Sequence, residues 1–212
     1  MRLCRRFNTL PVLLGCLLLG AWSAALAATD DAGHASHTAH DELPAAAYSA
    51  RSLYQLESMW TTASEQSLRL GHLQGKVQVL AMMYTTCESA CPIIVSLMQR
   101  MQAALPPELR PHVGFVLVSF DPARDTPAVL RAYSAKMHLD PASWSLLCGP
   151  LDDVLELAML LGIRYRRDQS GGFMHSNVIT VLNQAGEIVH RHEGLQQDIA
   201  STLEAMRRAV QP

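Results

Sequence analysis

An α/β domain built on a mixed β-sheet is what this sequence predicts, and three observations predict it. Two apolar runs, KVQVLAMMY at 76–84 and HVGFVLVSF at 112–120, have the length and continuity of strands covered on both faces. Each is followed by a segment whose apolar residues recur at helical spacing. Near the C-terminus, NVITVLNQAGEIVHRHEG reads as two strands around a turn at Gln184-Ala185-Gly186. Strand and helix alternating, then a hairpin, imply a central mixed sheet flanked by helices, with a β-hairpin near the C-terminus.

The elements follow in order. After the strand at 76–84, a helix runs from Cys91 to about Leu105, with Pro92 suited to its first turn. After the strand at 112–120, Thr126-Pro127 opens a helix to about Met137. Thr126 is suited to the N-cap and Pro127 to the first helical position. Residues 144–148 form a short third strand and Leu151–Leu161 a third helix. Beyond the hairpin, 195–209 closes the chain as an amphipathic helix.

Composition bounds the function. At 212 residues with 49% hydrophobic side chains, the chain suits one domain of ordinary size plus appendages. A formal charge of −2 and the lack of basic clusters interleaved with aromatics give no reason to expect nucleic acid as a partner. The N-terminus reads as an export signal over 1–27: Arg2, Arg5 and Arg6 precede an apolar stretch from about Leu10 to Trp22, and Ala25-Leu26-Ala27 offers small residues for cleavage. That run is shorter than the roughly 20 residues a membrane anchor needs. Apolar residues continue past Cys16, whereas an acylated cysteine normally closes such a region. The chain is therefore expected in the periplasm or otherwise exported. Residues 28–48 are small and polar, a mobile tail in which His34, His37 and His40 are spaced by three, a pattern able to bind metal loosely. The folded domain is expected over 49–212.

Export leaves three cysteines in the mature chain, too few for a disulfide-stapled scaffold. Cys148, in WSLLCGP, is apolar-flanked and reads as a buried, inert thiol. Cys87 and Cys91, in TTCESACP, lie between the end of a strand and the start of a helix, where α/β sheets usually hold ligands. The helix dipole there favours thiolate, for metal binding or for disulfide exchange, and the loop is expected to be exposed.

GKVQVLAMMYTTCESACP, LVSFDPARDTP, WSLLCG and GGFMHSNVITVLNQAGEIV, in that order, resemble the Sco/SenC family of thioredoxin-like copper chaperones over about residues 50–210. The resemblance implies a thioredoxin-like fold and a copper site, for Cu(I) or Cu(II), formed by Cys87, Cys91 and His175. It also implies a copper-enzyme recipient, such as a membrane-proximal subunit of cytochrome c oxidase, served as copper donor, as thiol reductant, or both. A copper donor or a thiol reductant would in turn act on this chain. Soft thiolates favour Cu(I), and an imidazole beside them suits Cu(II). Asp121 of DPARDTP is open to two readings, tuning the site or capping its own loop. This sequence departs from the family pattern in having Glu88-Ser89-Ala90 between the cysteines and Met174 before the histidine. Met174 is expected to pack in the core, with soft ligation as its other reading. His190 and His192 are expected at the surface.

Three functions fit: a copper metallochaperone, a thiol-disulfide oxidoreductase working through Cys87 and Cys91 without copper, and a peroxidase-like enzyme. The last fits least, because MMYTTC lacks the proline typical of peroxiredoxin-like sites. The first two differ in whether His175 is needed.

Overall fold

The computed structural model describes residues 48–167 and 173–211. The expected export signal and the histidines at 34, 37 and 40 lie outside the described residues.

Nine strands and four α-helices are described: β1 Met59–Thr62, β2 Ser67–Arg69, β3 Val77–Met83, α1 Ala90–Ala104, β4 Val113–Ser119, α2 Pro127–Lys136, β5 Trp144–Cys148, α3 Leu151–Leu160, β6 Tyr165–Arg167, β7 Phe173–His175, β8 Val178–Leu182, β9 Ile188–Glu193 and α4 Ala200–Val210. Seven strands form one sheet in the order β2-β1-β5-β4-β3-β8-β9. At its centre β3, β4 and β5 run parallel, linked by α1 and α2. The strands toward either edge, β1 with β2 and β8 with β9, are antiparallel. The sheet is mixed, as the sequence pattern predicts.

Burial explains why the central strands are legible as continuous apolar runs. All seven residues of β3 and all five of β8 are buried, because helices and strands cover both faces. The edge strand β9 alternates instead, with solvent on one side. Helix α1 turns Ile94, Val95, Leu97, Met98 and Met101 inward, an apolar stripe at helical spacing. On α2, the Thr126 hydroxyl accepts from the Val129 amide, with Pro127 next to it in the first turn, where its missing amide hydrogen costs nothing. At the β8–β9 turn Gly186 has φ +82, and a Cβ there would stand 2.6 Å from the Tyr54 ring, so glycine is required twice over.

Four strands escape the sequence pattern: β1, β2, β6 and β7 have three or four residues, too few for periodicity to register. The last helix begins at Ala200 rather than 195; the Asp198 carboxylate accepts the Ala200 amide at its start. Strands β6 and β7 form a separate two-stranded ribbon in which Tyr165 pairs with His175 and Arg166 with Met174. That ribbon brings the histidine to the cysteines.

Candidate metal centre

Strand β3 ends at Met83, the chain turns through Tyr84, Thr85 and Thr86, and Cys87 follows with its amide bonded back to the Tyr84 carbonyl at 3.2 Å. Helix α1 starts three residues later. Its N-cap residue Ser89 supplies no side-chain acceptor. Instead the Cys87 sulfur accepts the Cys91 amide at 3.4 Å, taking over one of the orphan donors of the first turn.

His175 ends β7, with Nε2 at 3.8 Å from the Cys91 sulfur. Its Nδ1–H donates to the Ser176 carbonyl at 3.2 Å, which leaves the Nε2 lone pair directed at the thiols. The ring is held by aromatic neighbours: Phe120 at 5.0 Å between centroids and Tyr84, edge-on, at 6.2 Å. Tyr84 is tied to the same ribbon, stacking edge-on against Phe173 and accepting the Phe173 amide at 3.3 Å. The two sulfurs and the imidazole nitrogen all lie within 4.8 Å of one another. Metal–thiolate bonds of about 2.3 Å put two sulfurs of a three-ligand ion about 4 Å apart, so these three atoms can share an ion after a shift of about 1 Å or less.

The thiols differ, contrary to the expectation of an exposed loop favouring both thiolates. Cys91 is fully buried and Cys87 only 7% exposed. They are covered because His175 on β7, 84 residues along the chain from Cys91, closes over the loop, with Tyr84 and Phe120 packed against its ring. Burial pushes the Cys91 thiol well above its ordinary range, and its bond to Cys87 and the nearby Asp125 carboxylate push the same way. Burial acts on Cys87 as well, but the Cys91 amide and thiol and the Ser89 contacts outweigh it, and its pKa falls. Burial also lowers His175, only partly opposed by the Ser176 carbonyl, so near neutral pH the imidazole is an uncharged donor.

The remaining residues sort clearly. Cys148 lies on β5, buried, with its thiol donating to the Thr61 carbonyl at 3.6 Å and its pKa raised by burial, and it is not part of the three-ligand cluster. It is buried, as the sequence suggests. Met174 is neither core nor ligand: it is 55% exposed, and its sulfur meets Arg166 Nη2 at 3.5 Å, because neighbouring residues of a strand point to opposite faces. The Asp121 carboxylate is bound by Arg124 Nε, with Arg167 Nη2 at 3.8 Å, so it secures its own loop against the ribbon. The histidines at 190 and 192 are not both surface residues. His192 is 7% exposed, sharing the Thr202 hydroxyl with His190 and donating to the Gln196 carbonyl, because α4 lies over β9.

The sequence reading passes over Tyr84, Phe120 and Asp125. The signal for the first two is an aromatic just after β3 and just after β4, at the end of the sheet where the cysteine loop begins. Asp125 is the second acid of DPARDTP, and its inward direction is set only by the fold.

The SCO1/SenC family model matches residues 51–211. A Stutzerimonas stutzeri protein named as copper-binding is 31% identical over 115 residues, 54% of each chain, so the match spans about half the length of that relative. The crystal structure of a SCO1/SenC family lipoprotein from Bacillus anthracis superposes with a TM-score of 0.67 at 25% identity, covering 75% of this chain and 96% of that one. Yeast Sco1 with copper bound superposes with a TM-score of 0.60 at 18% identity, over 71% of this chain and 84% of that one. The fold is thioredoxin-like, as the resemblance implies. With its family model spanning nearly all of the described residues, this chain belongs to the SCO1/SenC family.

Proposed function

We propose that this protein is an exported copper chaperone that holds copper on Cys87, Cys91 and His175 and passes it to a copper enzyme. The observation that carries the reading is the convergence of two thiol sulfurs and a neutral imidazole nitrogen within 4.8 Å, from segments 84 residues apart. This donor set fits copper: two soft sulfurs suit Cu(I), and the nitrogen accommodates Cu(II). The Stutzerimonas stutzeri relative, named as copper-binding, and the copper-bound yeast structure support the same ion.

The recipient we propose is a subunit of cytochrome c oxidase, reached in the compartment to which the 1–27 signal delivers the mature chain. Among the described residues, no helix is long and apolar enough to cross a membrane. The tail over 28–48 and the domain over 49–212 complete the proposed organisation.

A second reading has its own observation. Cys87, with its lowered pKa and slight exposure, has the properties of an attacking thiolate, and the buried, protonated Cys91 those of a resolving thiol. A thiol-disulfide oxidoreductase that reduces a recipient's cysteines would use this pair without copper.

One experiment separates them. The copper-accepting domain of an oxidase subunit is mixed with copper-loaded protein or with metal-free reduced protein, the recipient's thiols being reduced in one series and disulfide-bonded in the other. A chaperone builds the recipient's copper absorption in the reduced series, only when loaded. A reductant frees thiols in the disulfide series without copper, and transfer that fails while this succeeds overturns the first reading.

A further inference from the structure

Asp125 is 1% exposed, and its carboxylate carries three hydrogen bonds. Oδ2 accepts the Ser119 hydroxyl at 2.5 Å and the Thr85 amide at 3.1 Å, and Oδ1 accepts the Thr85 hydroxyl at 2.5 Å. An isolated carboxylate in such a place is strongly unfavourable, and three donors offset that cost. The sheet does not need this arrangement. Strands β3 and β4 are already joined through seven residue pairs, Val77 with Val113 to Met83 with Ser119. What the carboxylate adds lies beyond the end of that ladder, where it takes both donors of Thr85, two residues before Cys87. Asp125 is itself held: its amide donates to the Asp121 carbonyl at 2.8 Å, and Asp121 is secured by Arg124 and Arg167.

We propose that Asp125 is a positioning residue for the cysteine–histidine cluster, fixing through Thr85 where the Cys87 sulfur stands relative to Cys91 and His175. With Thr85 latched and the Cys87 amide bonded to the Tyr84 carbonyl, the turn out of β3 is pinned on both sides of Thr86. Only then does the Cys87 sulfur meet the Cys91 amide at 3.4 Å. For its effect on metal this rests on the copper reading above; its effect on the thiol pair does not.

The test compares wild type with Asp125→Asn, Thr85→Val, their double variant and Thr85→Ser. Three quantities are read: the thiolate-to-Cu(II) charge-transfer band, Cu(I) affinity by chelator competition, and the rate at which oxidised glutathione closes the Cys87–Cys91 disulfide. In that last reaction two thiols lose two electrons and two protons, and one glutathione disulfide becomes two glutathiones. Asp125→Asn and Thr85→Val each shift the band and weaken Cu(I) binding about tenfold, roughly 1.4 kcal/mol. The double variant loses no more than either single one, because both break one latch. Thr85→Ser, which keeps the hydroxyl, behaves as wild type.

Should Asp125→Asn fail to fold, the contrast between Thr85→Val and Thr85→Ser carries the test, since Thr85 stands at the margin of the core. A Thr85→Val protein with wild-type band and affinity overturns the proposal, as do losses that multiply to about 100-fold in the double variant. If wild type itself binds no copper, the copper reading fails and the disulfide rate decides. Thr85→Val then closes the bond about tenfold more slowly and Thr85→Ser at the wild-type rate, and an unchanged rate in Thr85→Val overturns the latch.

Discussion

Replacing each cysteine by serine separates ligand from structural role, because the two thiols sit in different surroundings. Cys91 is fully buried in the first turn of α1, on the face that carries Ile94, Val95 and Met98 inward. A serine there places a hydroxyl in an apolar environment, at a cost of about 1–3 kcal/mol. A bond from that hydroxyl to the carbonyl one turn back recovers part of it, leaving about 1–2 kcal/mol. For a domain of this size each kcal/mol moves the midpoint of thermal unfolding by about 2–4 °C, so Cys91→Ser melts about 2–8 °C lower. Cys87 differs, since its sulfur is the acceptor for the Cys91 amide, a role serine fills well at a helix N-terminus. Cys87→Ser therefore costs less than Cys91→Ser, about 1 kcal/mol or below. Both variants lose a thiolate ligand and weaken Cu(I) binding by about 100-fold or more, roughly 2.8 kcal/mol. The assay is thermal unfolding of the metal-free, reduced proteins beside anaerobic competition with a Cu(I) chelator. A larger drop in melting temperature for Cys87→Ser than for Cys91→Ser refutes the assignment of surroundings, and wild-type affinity in either variant refutes the ligand assignment.

Other outcomes follow from the same geometry. His175→Ala shifts or bleaches the thiolate-to-Cu(II) band while lowering Cu(I) affinity only about tenfold, because two thiolates suffice for Cu(I); His190→Ala, on the edge strand β9 with its imidazole bonded to the Thr202 hydroxyl, leaves both unchanged in the same spectra and competition assay. Apparent Cu(I) affinity rises with pH between about 6.5 and 8.5 by at least roughly tenfold per unit, since binding displaces the proton that burial holds on Cys91, and competition at stepped pH measures that slope. Joining Cys87 to Cys91 in a disulfide abolishes copper binding and dithiol treatment restores it, as dialysis with metal counting shows, because the ligands must be thiolates.

How far the sequence could be read depended on where each determinant lay in the chain. Strands β3 and β4 were legible because both faces are covered, which turns a strand into an unbroken apolar run. The ribbon of β6 and β7 was not, since three residues against three leave no period to detect. The position of Cys87 and Cys91 between strand and helix followed from local pattern, but their burial did not. It depends on His175, 84 residues from Cys91, which only the fold brings over the loop. His175 was recognisable by its motif context rather than by any periodicity, and of the two acids of DPARDTP only Asp121 stood out, because it is the fold that turns Asp125 toward Thr85 and Asp121 toward its arginines. His192 was misread as a surface residue because a strand at a sheet edge looks exposed until a later helix, here α4, is laid over it.

X-ray absorption at the copper edge, on mature protein loaded with one equivalent of Cu(II), tests the central claim most directly. The ligand set assigned here gives two sulfur scatterers and an imidazole pattern around each copper, with the imidazole lost in His175→Ala and one sulfur lost in either cysteine variant. Copper surrounded by nitrogen and oxygen alone, or a spectrum that the His175→Ala substitution leaves untouched, would contradict it.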